Sequence, residues 1–280
     1  AVVAISNQST TNVFGQETTT ASSGSGFIIS EDGYIVTNNH VVSGAETLTV
    51  IMTSGEEYEA ELIGADAEND VALIKIDATD LPTVSVGDSD DIQVGQQVCA
   101  IGNPLGELTN TMTVGYVSAL DREINENSNP INMFQTDCAI NSGNSGGALF
   151  NLYGEVIGIT NAKYSSSSSS SEASIDNIGF AIPLNHVKNI VKSIIETGSI
   201  TKPYIGVTVS SVSSEAQGYG LPTGAAVRSV EADSPAAKAG LEENDIITEV
   251  DGTAITSSTE LVNYLSLIHI SEPTRHAQIS

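Results

Sequence analysis

Short apolar runs punctuated by Gly, Asn, Asp and Pro fill most of the chain. Ser25–Ser30 (SGFIIS) and Tyr34–Thr37 (YIVT) flank Glu31-Asp32-Gly33, which predicts a β-hairpin. Further strands are expected at Thr47–Met52, Glu57–Ala65, Val71–Ile76, Gln97–Ile101, Met112–Leu120, Met133–Gln135, Ala148–Phe150, Glu155–Ile159 and Ile178–Ile182. The opening AVVAIS is strand-like as well. Regular short strands without intervening helices indicate an all-β barrel or sandwich. The period changes at Asn185–Thr197, where Val187, Ile190, Val191, Ile194 and Ile195 share one face of a helix. Pro183 precedes that helix and Gly198 ends it. Ser165–Ser171 is an unbroken serine run, which has nothing to bury and is expected to be a mobile surface loop.

Ser199–Pro203 is a natural boundary, and the region after it has another texture. Strands are expected at Tyr204–Val209, Gly224–Val230 and Asp245–Val250, the last closed by an Asp251-Gly252 turn. Ser234 caps a short helix to Ala239, with Pro235 at its first position and Gly240 as its stop. A second helix begins over Ser258–Leu265. This is a small mixed α/β module.

Composition narrows the function classes. At 280 residues and 40% apolar, the chain can hold one large core and a smaller one. Thirty-five acidic against nine basic residues give a net charge of −26, which repels phosphate backbones and argues against nucleic-acid binding. No apolar run is long enough for a membrane-spanning helix. The chain starts without Met, which leaves room for an upstream signal peptide or membrane anchor. Cys99 and Cys138 sit in apolar runs (QVCAIG, TDCAIN) and read first as buried thiols, with a disulfide as the alternative. No metal or cofactor is expected.

The strongest chemical signal is Gly143-Asn144-Ser145-Gly146-Gly147. A serine hydroxyl is a poor nucleophile unless a base takes its proton and donors stabilise the oxyanion it creates. Flanking glycines permit a sharp turn that exposes the hydroxyl and aims the Gly143 and Ser145 N–H groups at one point. His40, at a strand end in TNNHVV, and Asp70, before the buried strand of NDVALI, complete a His, Asp, Ser order. That is the order of chymotrypsin-type triads, not of subtilisins or α/β-hydrolases. Singly, His40 reads as structural and Asp70 as a turn cap beside Asp66 and Glu68; jointly they are a triad.

The stretches GSGFIISEDGYIVTNNHVV, NDVALIKID, LPTVSVGDSDDIQVGQQVCAIGNPLG, QTDCAINSGNSGGALFN and GEVIGI…IGFAIP resemble the HtrA/Deg serine proteases, from about Ala21 to Leu184. The resemblance implies an all-β, trypsin-like double six-stranded barrel over residues 1–198, with the site in the crevice between the barrels. It implies an ATP-independent serine endopeptidase of misfolded or unfolded proteins outside the cytoplasm, as a homotrimer or higher homo-oligomer. Ser145 is then the nucleophile, His40 the general base and acid, and Asp70 the residue that holds the imidazole. Gly143, Asn144 and Ser145 form the oxyanion loop. Neutral Asn144 rules out pairing with a newly cut N-terminus, and loops 121–131, 141–144 and 161–177 are left to control activity. Ser142 departs from the family's usual Pro. Ala139, Ile140, Thr160, Asn161, Ala162, Ile178, Gly179 and Phe180 are expected around the primary pocket, which carries no charge and favours small aliphatic side chains.

Tyr204-Ile205-Gly206-Val207 resembles the carboxylate-binding loop of PDZ domains, and SPAAKAGL, NDII and VDG match PDZ modules of the same family. The loop's N–H groups would take a peptide's C-terminal carboxylate, and the next strand would add the peptide as an extra strand. A packing module without a ligand is the alternative. The expected layout is a protease domain at 1–198, a linker at 199–203 and a partial PDZ domain at 204–264. From Leu265, LSLIHISEPTR is identified as the in-frame translation of a transposase sequencing adapter, so 265–280 is expected to be a foreign tail and neither His269 nor His276 a ligand. Two other functions compete with the endopeptidase: a peptide-binding, chaperone-like scaffold with an inactive site, and a small-ester hydrolase.

Overall fold

The computed structural model describes residues 1–13, 16–103, 111–126, 129–162, 178–197 and 205–268. The serine run and Tyr204 lie outside the described residues. The chain divides into two compact units, Ala1–Ile200 and Thr201–Ser280.

The first unit holds two antiparallel barrels. Strands β1 (Val2–Val13), β2 (Gln16–Ile28), β3 (Tyr34–Thr37), β4 (Thr47–Ile51), β5 (Glu57–Asp66) and β6 (Val71–Ile76) close in the order β1-β2-β3-β6-β5-β4. The second barrel uses β8 (Gln97–Gly102), β9 (Thr111–Glu126), β10 (Asn129–Thr136), β11 (Ala148–Phe150), β12 (Glu155–Asn161) and β13 (Gly179–Pro183). Its order is β11-β8-β9-β10-β13-β12, and a β11–β12 pairing closes the ring. A two-residue strand, β7 (Ser85–Val86), lies parallel on β12. This is the double six-stranded barrel that the sequence resemblance implies. The order also explains why no crossover helices are needed: every pairing within either ring is antiparallel.

Alternation along the strands makes three apolar layers rather than two. Inside the first barrel, Val3, Ile5, Ile28, Ile35, Val50, Ile74 and Ile76 pack together. Val98, Ala100, Phe134, Leu149, Ile157 and Ala181 fill the second. The opposite faces of the same strands present Phe27, Val36 and Leu73 on one side and Met133, Ile159 and Ile182 on the other. These join with Val187, Ile190, Val191 and Ile194 of helix α2 (Leu184–Thr197) in a third cluster that cements the barrels. Strands buried on both faces lose the clean polar–apolar alternation of a half-exposed sheet. That is why VALIKI and EVIGIT read as continuous apolar runs.

His40 is not on a strand end. It lies in α1 (Asn39–Val42), a single helical turn directly after β3. Cys99 and Cys138 are both free thiols, and burial pushes both pKa values up. Their neighbours Val98 and Ala100 point inward with Cys138, whereas Cys99 sits on the outer side of β8, half-exposed.

In the second unit, β14 (Val207–Ser211), β15 (Ala225–Val230) and β16 (Ile246–Ile247) form a small sheet in that order. Helix α3 (Ser214–Gly218) and a further strand pair, β17 (Glu249–Val250) with β18 (Thr253–Ala254), were not expected from the sequence pattern. Helix α4 (Pro235–Ala239) is capped as its sequence suggests: the Ser234 hydroxyl accepts the Ala237 N–H at 3.1 Å, and Gly240 is left-handed. Helix α5 (Ser258–Ile268) runs across position 265, and Leu265 packs against the small core of Ala225, Val227, Ile247, Val250, Ile255 and Leu261.

Candidate active site

Asp70 directly precedes β6 with a left-handed backbone (φ +52°), a conformation Asp tolerates better than most residues. Its carboxylate is 4% exposed and carries three donors. His40 Nδ1–H donates to Oδ2 at 2.7 Å, and the His40 backbone N–H donates to Oδ1 at 2.9 Å. The Asn161 carboxamide donates to the same Oδ2 at 2.7 Å. Holding both the ring and the backbone of His40 fixes the imidazole orientation and places its proton on Nδ1, leaving Nε2 as the basic nitrogen. The Asn38 side chain donates to the Asp70 carbonyl at 2.8 Å and so ties the start of α1 to the start of β6.

Ser145 lies in the turn between β10 and β11. Its hydroxyl oxygen accepts the Ala162 N–H at 3.1 Å, which leaves the hydroxyl proton to be given away. Consecutive residues of one strand end therefore touch both halves of the site, Asn161 at the carboxylate and Ala162 at the hydroxyl. No hydrogen bond joins Nε2 to the Ser145 hydroxyl among the described residues; catalytic hydrogen bonds of this kind often tighten only when substrate binds.

The turn sorts its N–H groups. Asn144 N–H donates to the Asn141 carbonyl at 3.0 Å, Gly146 N–H to Thr160 at 2.9 Å and Gly147 N–H to Asn144 at 2.9 Å. The N–H groups of Gly143 and Ser145 have no partner among the described residues. Asn144 is thus corrected from an oxyanion donor to an anchor: its side chain is buried and its amide donates to the Ala139 carbonyl at 3.2 Å. Gly143 adopts φ +95°, a conformation that strains any residue with a Cβ.

The pocket expectation also needs two corrections. Thr160 and Asn161 are fully buried, and their side chains bind the Asn144 carbonyl (2.6 Å) and Asp70, so neither side chain faces a substrate. Ala139, Ile140, Ala162, Ile178, Gly179 and Phe180 bear no charge. Gly179 is required there, because a Cβ would come within 2.6 Å of the Ile140 side chain. Among residues with a hold on the site, Ser25, Thr37 and Asn38 were not singled out by sequence; the glycines around Ser25 were the available signal.

In the small unit, Ala236 N–H donates to the Ile205 carbonyl and Glu231 N–H to the Gly206 carbonyl, both at 2.8 Å. Among the described residues, strand β14 pairs only with β15 and is a sheet edge. Tyr204, the first residue of the expected loop, lies outside the described residues.

A trypsin-like peptidase domain model matches residues 24–159, and a PDZ domain model matches residues 203–273. A solved HtrA-type protease, AlgW with a decapeptide, superposes with a TM-score of 0.81 at 34% identity, over 98% of this chain and 89% of that one. The chain belongs to the HtrA/Deg family. A serine endoprotease from Yersinia pestis also has this fold (TM-score 0.71, 36% identity, 95% of this chain and 84% of that one). Among curated HtrA/Deg relatives, a probable periplasmic serine endoprotease DegP-like of Halomonas elongata is 45% identical over 85% of this chain and 49% of its own length. The putative serine protease HhoB of Synechocystis is 40% identical over 89% of this chain and 61% of its own. The chain spans about half the length of the DegP-like relatives it matches.

Proposed function

We propose that this chain is a serine endopeptidase acting on misfolded or unfolded proteins, ATP-independent, with His40, Asp70 and Ser145 as its catalytic triad. The observation that carries the reading is the buried Asp70 carboxylate bound to His40 Nδ1, together with a turn that leaves the Gly143 and Ser145 N–H groups without a partner among the described residues. His40 Nε2 takes the Ser145 proton as the hydroxyl oxygen attacks the scissile carbonyl. The imidazolium, stabilised by Asp70, then returns the proton to the leaving amine. Negative charge on the tetrahedral oxygen falls to the Gly143 and Ser145 N–H groups. The apolar set Ala139, Ile140, Ala162, Ile178, Gly179 and Phe180 favours a small aliphatic side chain before the scissile bond.

The related AlgW structures hold peptides. The edge strand β14 and the loop at Ile205–Val207 support capture of C-terminal peptides here, with the small unit serving regulation or substrate supply. Met112, Val114 and Tyr116 form an exposed apolar stripe on one face of β9, which supports a homotrimer or higher homo-oligomer. The relatives named periplasmic support work outside the cytoplasm. A fluorophosphonate probe should label the protein, and Ser145→Ala should abolish both the label and casein cleavage. No label and no cleavage by the parent chain between about pH 6 and 9 rejects the enzyme in favour of a peptide-binding scaffold.

A further inference from the structure

Ser25, on β2 of the first barrel, touches the nucleophile turn of the second barrel at more than one point. Its N–H donates to the Ser145 carbonyl at 2.8 Å, and its hydroxyl donates to the Gly143 carbonyl at 2.7 Å. The hydroxyl oxygen in turn accepts the Asn103 N–H at 2.7 Å, and the Ser25 carbonyl accepts the Thr37 hydroxyl at 2.7 Å. Ser25 is completely buried, and so is Thr160, which holds the same turn from within the second barrel. Thr160 binds the Asn144 carbonyl through its hydroxyl (2.6 Å), the Gly146 N–H through its carbonyl (2.9 Å) and the Gly147 carbonyl through its N–H (2.9 Å).

A peptide unit is planar, so binding one end fixes the direction of the other. The unit between Gly143 and Asn144 is held by Ser25 at its carbonyl and by Asn141 at its N–H. The unit between Ser145 and Gly146 is held by Ser25 and Thr160. The unit between Asn144 and Ser145 is held at its carbonyl by Thr160 and Gly147, which directs the Ser145 N–H away from them. Only the unit that carries the Gly143 N–H lacks a partner at either end among the described residues. Its orientation follows from the anchored unit next to it, and that anchor is the Ser25 hydroxyl.

We infer that Ser25 is a positioning residue for the oxyanion site: its hydroxyl, reaching across from the first barrel, sets the direction of the Gly143 N–H. The inference rests on Ser145 being the nucleophile. It differs from the triad in kind, because Ser25 touches neither the hydroxyl of Ser145 nor His40 and works through backbone carbonyls alone. Removing its oxygen also strands the Asn103 N–H in the interior.

The test uses the full chain and a chromogenic peptide substrate. In Ser25→Ala, kcat should fall roughly 10- to 100-fold, less than the loss typical when an oxyanion donor is itself removed. KM should stay within about two-fold, since uniform substrate binding is untouched. The affinity for a peptidyl boronate, which forms a tetrahedral adduct on the serine, should fall in step with kcat/KM. The acidic limb of the pH–rate profile should not move, because His40 and Asp70 keep their partners. Unchanged kcat and boronate affinity overturn the clamp, as does an equal loss in KM and kcat. If Ser25→Ala does not fold, Ser25→Cys, a weaker donor of similar bulk, carries the same expectation at smaller size, and unaltered boronate affinity there overturns it. Retained turnover in Ser145→Ala would instead remove the serine-nucleophile reading, whatever Ser25 shows.

Discussion

The two barrels contribute to the site through different chemistry. The first supplies side chains: the imidazole of His40, the carboxylate of Asp70, the carboxamide of Asn38 and the hydroxyl of Ser25. The second supplies the Ser145 hydroxyl and, beyond it, mainly backbone, with a turn whose N–H and C=O groups are sorted one by one between anchors and open donors. Side-chain functions depend on the identity of the end group, whereas backbone functions depend on the absence of a Cβ. Substitutions should therefore divide by barrel, with conservative polar exchanges damaging chemistry in the first and any added methyl damaging folding in the second.

The sharpest break of that contrast is Asp70→Asn. Shape is kept, but the new amide presents a donor where the His40 Nδ1–H needs an acceptor, and the favoured tautomer places the proton on Nε2 instead. A fall in kcat of about 10⁴-fold, with little change in melting temperature, is expected by analogy with other triads. A loss of stability large enough to account for the lost activity would show Asp70 to be a structural residue first.

The second barrel answers to Gly146→Ala. Gly146 has φ +80°, and an added Cβ would overlap the Ser25 carbonyl oxygen and the Thr37 hydroxyl. Both the left-handed conformation and the overlap oppose the methyl, and relief would push the barrels apart at this turn. A destabilisation on the order of 3 kcal/mol is expected from denaturant melts, with activity lost as a consequence of unfolding. A well-folded but inactive Gly146→Ala protein would erase the distinction between the barrels.

How much of this was legible in the sequence follows the same division. His40, Asp70 and Ser145 stand out because an ionisable or nucleophilic residue beside a buried strand is visible in one dimension. The strands were legible through apolar runs and turn residues, and α2 through its period. What was not legible depends on contacts between distant segments. Ser25 lies between two glycines and reads only as the start of a strand until Gly143, 118 residues further on, is placed against its hydroxyl. Thr160 and Asn161 were assigned to the pocket because their strand leads there; burial of both side chains is settled by packing between the barrels, which no spacing records. His40 was expected on a strand, but α1 is one turn long and too short for any periodicity to show.

Asn161 sharpens the comparison most finely, because it is the one second-barrel residue here that serves the site through its side chain to a first-barrel group. Its carboxamide donates to the Asp70 oxygen that also receives the His40 Nδ1–H, from a fully buried position. In Asn161→Ala that oxygen loses one of its two donors and the interior loses a polar partner, a change of about 1–2 kcal/mol. If that loss falls on the imidazolium-forming step, kcat should drop about ten-fold, because a carboxylate with fewer fixed donors is freer to turn away from the ring. Asn161→Asp should be worse than Asn161→Ala, since it sets a second carboxylate against Asp70 in a buried space. Asn161→Ser, which keeps a donor on a shorter arm, should recover part of the rate. An Asn161→Ala enzyme with unaltered kcat would mean that the His40 contacts alone hold Asp70, and that the second barrel's side chains do not support the first-barrel half of the site.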